Sequence, residues 1–298
     1  MMSGGGSDGG FYAPRNRGIW DVIDRHRFSI IVWTTAIILI LFVWHFISDK
    51  DFSFLMTLGS VLRMVAFVIL VVHVHSQRSA AGLSLKTLQA YACVFAFRLC
   101  SILFYEGYLP FDKSGDWFYQ VVEIMGLLLV LYLIFAISTT FNRSYSDAVD
   151  CFGRLPPNVP SKFGVVWILA PALLLALILH PNLNANFLTD SAWTFALYVE
   201  AVAILPQLYL FQTRKGGIDG MLANYVFALG AARIMHLIFW VSSFQELNDK
   251  QSSHFTGQYP GYLVVLSQVV HILLMGNFFL LYIESARQGK PMYLPVNV

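Results

Sequence analysis

Charged side chains are scarce in this sequence of 298 residues, since Asp, Glu, Lys and Arg together make up 12% and hydrophobic residues make up 57%. A soluble domain carries about 25% charged residues. The composition therefore excludes an ordinary soluble domain and is typical of a polytopic membrane protein. Cysteine is also scarce, and the spacing of the three cysteines indicates neither a disulfide framework nor a metal site.

Catalytic motifs are lacking too. The sequence contains no H-E-x-x-H, no G-x-S-x-G and no glycine-rich loop that would bind a phosphate. Nothing in the residues supports an enzyme, so neither a metal nor a cofactor is expected. Nucleic acid is not expected as a partner either. The expected partner is the lipid bilayer.

Long apolar runs are what the sequence has in abundance. Eight of them approach the ~20 residues that a helix needs to cross a bilayer. The predicted spans are 28–48, 54–75, 88–106, 117–140, 161–180, 190–212, 221–245 and 259–284. The first run is too long and too far from the start for a signal peptide, so we expect a retained helix. The longest connection, 141–160, is predicted to be coil.

Basic residues are distributed unevenly between the spans. If the N-terminus is cytosolic, thirteen Lys and Arg residues fall on the cytosolic side and three on the other. This bias follows the positive-inside rule. The sequence therefore predicts a mobile cytosolic tail (1–27), an extra transmembrane helix (28–48), a seven-helix domain (54–285) and a cytosolic C-terminal tail (286–298).

Four charged residues interrupt these apolar runs near the middle: Arg63, Arg98, Glu200 and Arg233. At about 1.5 Å per residue, all four lie within a few ångströms of the bilayer midplane. A charge at that depth costs between ~2.5 and ~17 kcal/mol. We therefore expect these side chains to face one another or a wet cavity.

Two interpretations of these charges differ in their consequences. A structural ion pair would join Glu200 to one arginine, but it leaves the other arginines without a partner. The surplus positive charge instead predicts a bound anion, and a carboxylate fits the planar fork of an arginine. Asp190 and the shallower Glu123 lie towards the lumen. Trp193 and Trp240 are expected either to anchor the protein at the membrane interface or to line the mouth of a site.

The seven spans after the first can be divided into three, one and three. The second span of the first triplet carries V-F-A-F-R, ending at Arg98, and that of the last triplet carries V-F-A-L over 226–229, followed by Arg233. Both triplets would run in the same direction. Parallel repeats with a site at their interface are a known membrane design.

Several motifs resemble those of the KDEL receptors, which retain proteins of the ER lumen. The most specific is Y-V-E-A-V-A-I-L-P-Q-L over 198–208. It is accompanied by A-G-L-S-L-K (81–86) before Arg98, by Y-V-F-A-L-G (225–230) before Arg233, and by G-K-P-M-Y-L-P (289–295). The resemblance covers roughly 54–295 and indicates a longer subgroup with an extra N-terminal span.

The resemblance implies an all-α fold related to the PQ-loop and SWEET transporters. It also implies a luminal cavity that captures the C-terminal KDEL- or HDEL-type tetrapeptide of escaped ER proteins, for retrieval from the Golgi to the ER. Arg98 matches the arginine that grips the terminal carboxylate. Glu200, Asp190 and Trp240 match residues that line the cavity, and Arg233 matches a cavity arginine.

This sequence departs from the family pattern in the region of the pH switch. Arg63 replaces the pH-sensing histidine, and Ala232 replaces its tyrosine partner. Arg63 therefore supplies a constant positive charge, which favours an anion at all pH values. Other family positions are changed as well: Met56, Ser101, Ser243 and Asn277. Of the paired tail lysines that engage vesicle coat proteins, Lys290 alone remains.

Two other functions remain open from the residues. The parallel repeats and the charged midplane also suit a SWEET- or PQ-loop-like transporter of a small polar or anionic solute. A membrane scaffold with a degenerate site is the third hypothesis.

Overall fold

The computed structural model describes residues 53–105, 116–154, 161–181, 186–214, 216–244, 260–288 and 292–294, together with eight residues between 31 and 45. Those eight are helical, but most of the predicted span 28–48 and the tail 1–27 lie outside the described residues. The helices are α1 (Ser53–Gln77), α2 (Leu85–Ile102), α3 (Asp116–Ser138), a 3-10 helix (Ser161–Val165), α4 (Val166–Ile178), α5 (Phe187–Val202), α6 (Leu205–Thr213), α7 (Gly220–Ser242) and α8 (Pro260–Gln288).

These helices confirm the all-α prediction, and each of the seven predicted ranges from 54 to 284 contains a helix. Five of the described stretches are long and apolar enough to cross a membrane. They are α1, α3, the combined stretch of α5 and α6, α7, and α8. A shorter apolar stretch, Phe163–Ile178, contains α4. The helix α2 has 18 residues and is largely buried by its neighbours.

The packing of the helices follows the predicted division into three, one and three. The first triplet consists of α1, α2 and α3, and α3 packs against both α1 and α2. The second triplet consists of α5 with α6, then α7 and α8, and α8 packs against both α5 and α7. Between the triplets, α1 packs against α7, and α2 packs against α5. Each of these contacts joins the first helix of one triplet to the second helix of the other. The two contacts are therefore equivalent, as expected for parallel repeats.

Pro206 breaks the transmembrane stretch Phe187–Thr213, as a proline inside a helix is expected to do. The helix α5 ends at Val202 and α6 begins at Leu205. Near this break, the Glu200 carbonyl oxygen accepts a hydrogen bond of 2.9 Å from His271 Nδ1. The Gln207 side chain accepts a hydrogen bond from the Ser84 backbone N–H and donates one to the Gly82 carbonyl oxygen. These two hydrogen bonds join the kink to the start of α2.

The second helix of each triplet starts at a side-chain cap, where a side-chain oxygen accepts from a free backbone N–H. Ser84 caps α2 and Asp219 caps α7. Asp219 Oδ1 lies 3.5 Å from His73 Nδ1 at the end of α1. The neighbouring His73 imidazole lowers the pKa of Asp219 below its ordinary value of 3.8.

Replacing Asp219 with alanine is expected to cost about 1 kcal/mol of stability, because both the cap and the contact with His73 are lost. Asparagine preserves the cap and should cost less. Since folding lowers the pKa of Asp219, its ionic contribution is present above pH 3.8 and is lost as the pH falls through the folded-state pKa. Unfolding in detergent from pH 7 to pH 3 should therefore show wild type and Asp219→Asn converging in acid. A stability difference that does not depend on pH would contradict this.

Candidate functional site

Five charged side chains from five different helices meet inside the bundle: Arg63, Arg98, Glu123, Glu200 and Arg233. We call these five residues the charged cluster. They lie on α1, α2, α3, α5 and α7 in that order. Their exposed fractions range from 0 to 4%. The four midplane charges predicted from the sequence are therefore brought together, and Glu123 joins them.

Glu200 lies at the centre of the charged cluster. Its Oε1 accepts from Arg63 and its Oε2 accepts from Arg98. Arg233 Nη2 lies 2.7 Å from Oε2. The interpretation in which Glu200 pairs with a single arginine is therefore wrong, because its two oxygens contact all three arginines.

Glu123 is the second carboxylate of the charged cluster. Its Oε1 accepts from Arg63 and lies 3.8 Å from Arg98 Nη1. Glu123 was noted in the sequence only as a shallow charge, since its depth along α3 does not reveal which helices α3 contacts. With both carboxylates ionised, three arginines face two acids, so the cluster has a net charge of +1.

The charged cluster follows the repeat of the fold. Arg98 lies 14 residues after the cap Ser84, and Arg233 lies 14 residues after the cap Asp219. This register differs from the one suggested by the shared V-F-A sequence. Arg98 lies near Glu123 on α3, whereas Arg233 Nη1 donates to Gln268 Oε1 on α8 at 2.8 Å. The third helix of each triplet thus supplies a partner for the arginine of the second helix. This partner is the acid Glu123 in the first triplet and the amide Gln268 in the second.

Neighbouring side chains fix the positions of the charged groups. Arg63 lies over the Phe95 ring, 5.1 Å from its centroid, and also donates to Ser60 Oγ at 3.3 Å. His236 Nε2 lies 3.3 Å from the Met56 carbonyl oxygen. A side chain at Gly59 would place its Cβ 2.3 Å from the His236 ring, so glycine leaves the space that the imidazole occupies.

A second layer lies towards the end of the bundle at which α5 begins and α7 ends. Trp193 and Trp240 pack edge to face with their ring centroids 5.7 Å apart. Each lies seven residues from Glu200 or Arg233 along its helix, or roughly 10 Å. Asp190, one turn before Trp193, is buried. Because both tryptophans are also buried, the expectation that they anchor the protein at the membrane interface was wrong.

The charged cluster is closed in this structure. The arginines bind carboxylates of the protein itself, and a ligand carboxylate would have to share or displace the contacts that Glu200 makes. Within the described part of the chain, no three His, Cys, Asp or Glu side chains are grouped so that they could hold a metal ion.

Comparisons with known proteins agree with the motifs and the fold. Residues 79–243 match the model of a family described as "ER lumen protein retaining receptor". Receptor B of that name from Arabidopsis thaliana is 31% identical over 237 residues, which cover 80% of this chain and 96% of the relative. The proteins from Petunia hybrida and Drosophila melanogaster are 29% and 27% identical over the same shares. The chain therefore belongs to the family of ER lumen protein-retaining receptors, a family of receptors rather than enzymes.

Proposed function

We propose that this protein is a receptor that binds the C-terminal KDEL- or HDEL-type signal of ER luminal proteins and returns those proteins from the Golgi to the ER. The observation that carries the proposal is the surplus of arginines over carboxylates in the charged cluster. One ligand carboxylate would make three acids face three arginines, which balances the charge of the buried site. The comparisons favour this receptor over a transporter of a small polar or anionic solute.

Arg98 is the principal contact to the ligand carboxylate in this proposal. Arg63 has three acceptors, on Glu123, Glu200 and Ser60, which hold it in place from two sides. Arg98 donates to Glu200 Oε2, and its Nη1 lies 3.8 Å from Glu123 Oε1. Arg233 contacts the same Glu200 oxygen and donates to Gln268. Since each guanidinium has five N–H donors, both can bind a second carboxylate and retain Glu200. A carboxylate bound by two arginines gains charge-assisted hydrogen bonds in a buried site.

The tryptophan layer suits the rest of the signal. An extended tetrapeptide spans about 13 Å, and the layer with Asp190, Trp193 and Trp240 lies roughly 10 Å from the charged cluster. A peptide whose terminal carboxylate reaches Arg98 would therefore place its preceding residues beside Asp190 and Trp240. These two residues would line the site, and the proposal assigns them no role in gripping the carboxylate.

The proposal includes a cellular setting. The protein resides in ER and Golgi membranes, with both termini in the cytosol and the peptide entering from the lumen. Its cytosolic tail contacts vesicle coat proteins. Met292 in that tail pairs with Ile218, whose N–H donates to the Met292 carbonyl at 2.8 Å. This bridge supports a tail held against the bundle as far as residue 294.

A labelled tetrapeptide should bind the purified protein, and replacing Arg98 with glutamine should weaken binding by about 100-fold, as expected for loss of a buried charged contact worth ~3 kcal/mol. Because Arg63 keeps its charge, we expect affinities at pH 6 and pH 7.4 to agree within a few-fold. The same peptide with a C-terminal amide should not bind. Arg287 is exposed at the end of α8 and provides a matched control. Binding unaffected by Arg98→Gln would refute the assignment of Arg98.

A further inference from the structure

An open groove of about 570 Å³ lies between α1 and α3, away from the charged cluster. Five residues line it: Val71, Val72, His75, Ser76 and Tyr132. They lie near the end of α1 and in the second half of α3. The groove thus belongs to the outer surface of the bundle, at the end that the sequence predicts to be cytosolic.

The polar groups in this groove are held by internal hydrogen bonds. His75 Nδ1 lies 2.9 Å from the Val71 carbonyl oxygen, so this nitrogen carries the proton. In the neutral imidazole, Nε2 then accepts from the Tyr132 hydroxyl at 2.8 Å. The two rings stack with an angle of 15°. The groove therefore offers a flat, mainly apolar wall that suits a hydrocarbon chain.

Two exposed arginines lie close in sequence to residues that line or contact the groove. Arg78 follows Ser76 by two residues, and Arg143 follows Phe141, whose ring packs against His75. The Ala80 N–H donates to Ser144 Oγ at 2.8 Å, which joins the two loops. Within the described residues neither arginine forms an ion pair with a carboxylate. Asp147, in the same loop, lies beside the Tyr145 hydroxyl.

The backbone at Arg78 strengthens the case for a role of its side chain. Its φ of 47° lies in the left-handed region. Among the described residues other than glycine, Arg78 alone has a positive φ. It follows the last residue of α1, a position where glycine is usual and a side chain costs roughly 1–2 kcal/mol. The chain therefore carries an arginine two residues after the groove residue Ser76 at a cost in stability.

We propose that this groove binds an anionic phospholipid, with one acyl chain against Val71, Val72 and the stacked rings and the negatively charged headgroup between Arg78 and Arg143. Apolar walls beside two unpaired cations match a lipid that carries both parts. Anionic lipids are concentrated in the cytoplasmic leaflet, which the predicted orientation places at this end. The inference rests on its own observations and does not require the proposed receptor function.

Native mass spectrometry of the full chain tests this site, with phosphatidylserine and phosphatidylcholine of identical acyl chains as the probes. We expect phosphatidylserine to bind about tenfold to thirtyfold more tightly, the factor that two cationic contacts supply. The double variant Arg78→Gln/Arg143→Gln should abolish that preference. Glycerophosphoserine, which has the headgroup without acyl chains, should bind far more weakly than the lipid.

Two further variants separate the groove from general membrane contacts. Val72→Trp fills the groove and should weaken phosphatidylserine binding, whereas Leu273→Trp alters an exposed position on α8 and should not. Arg287→Gln removes an exposed charge from α8 and should also leave binding unchanged. Equal binding of the two lipids by wild type, equal losses for Arg287→Gln and the double variant, or normal binding by Val72→Trp would each overturn the proposal. Thermal unfolding of every variant verifies that it is folded.

Discussion

Replacing Glu200 with alanine is expected to destabilise the protein by about 3–5 kcal/mol. The variant would leave three buried arginines facing one carboxylate, and removal of one partner from a buried charge network carries a penalty of this size. Glu200 has the largest effect because its two oxygens contact Arg63, Arg98 and Arg233. Unfolding in mixed micelles of a mild detergent and SDS measures the difference.

Two comparisons isolate the charge imbalance in this experiment. The double variant Glu200→Ala/Arg233→Leu restores the surplus to one positive charge, so it should recover part of the lost stability. Glu284 is exposed on α8, and its replacement with alanine should change stability by less than ~0.5 kcal/mol. If Glu200→Ala and Glu284→Ala are equally stable, the arginines are neutralised without Glu200 and the charge count proposed for the site is wrong.

The sequence predicted the charged cluster well because a charge in an apolar run is both rare and costly. Arg63, Arg98, Glu200 and Arg233 were identified from depth alone, and the structure brings them together. The partners could not be predicted in the same way, because hydropathy gives the position of a residue along a helix but not the rotation of that helix. Glu123 and Gln268 consequently gained their roles only from the packing of α3 and α8.

Helix boundaries were predictable only approximately for a similar reason. The third predicted span began at 88, whereas α2 begins at Leu85, directly after the cap Ser84. Hydropathy does not register a cap, since Ser84 acts through one hydrogen bond to the Thr87 N–H. Counting from the caps aligns Arg98 with Arg233. The apolar sequence around the two arginines suggested a different alignment.

The connection between α3 and α4 contains a polar network that no local pattern indicates. Asp150, in a stretch predicted to be coil, is buried, and its carboxylate accepts from the Ser84 hydroxyl and the Leu85 N–H at 2.9 Å each. It also accepts from the Tyr145 hydroxyl at 2.8 Å. Burial and the nearby Asp150 carboxylate raise the pKa of Tyr145. The contacts with Ser84 and Leu85 join residues more than 60 positions apart, so local reasoning could not find them.

Lys86 makes the Asp150 network sensitive to a single substitution. Its ammonium group is fully buried, donates to the Asp150 carbonyl oxygen and lies 3.9 Å from the Asp150 carboxylate. Few buried lysines remain charged without a carboxylate close by. The carboxylate thus supports both the start of α2 and the charge of Lys86.

Replacing Asp150 with alanine is therefore expected to cost about 3–5 kcal/mol, since it leaves the buried Lys86 uncompensated and removes two hydrogen bonds at the start of α2 and one from Tyr145. Asparagine preserves part of the hydrogen bonding and should cost less. Asp147 is exposed in the same connection, and its replacement with alanine is the matched control, expected to change stability by less than ~0.5 kcal/mol. Unfolding in mixed micelles gives all three values. If Asp150→Ala is no less stable than Asp147→Ala, the connection is not held by this carboxylate, and α2, with Arg98 on it, is positioned by apolar packing alone.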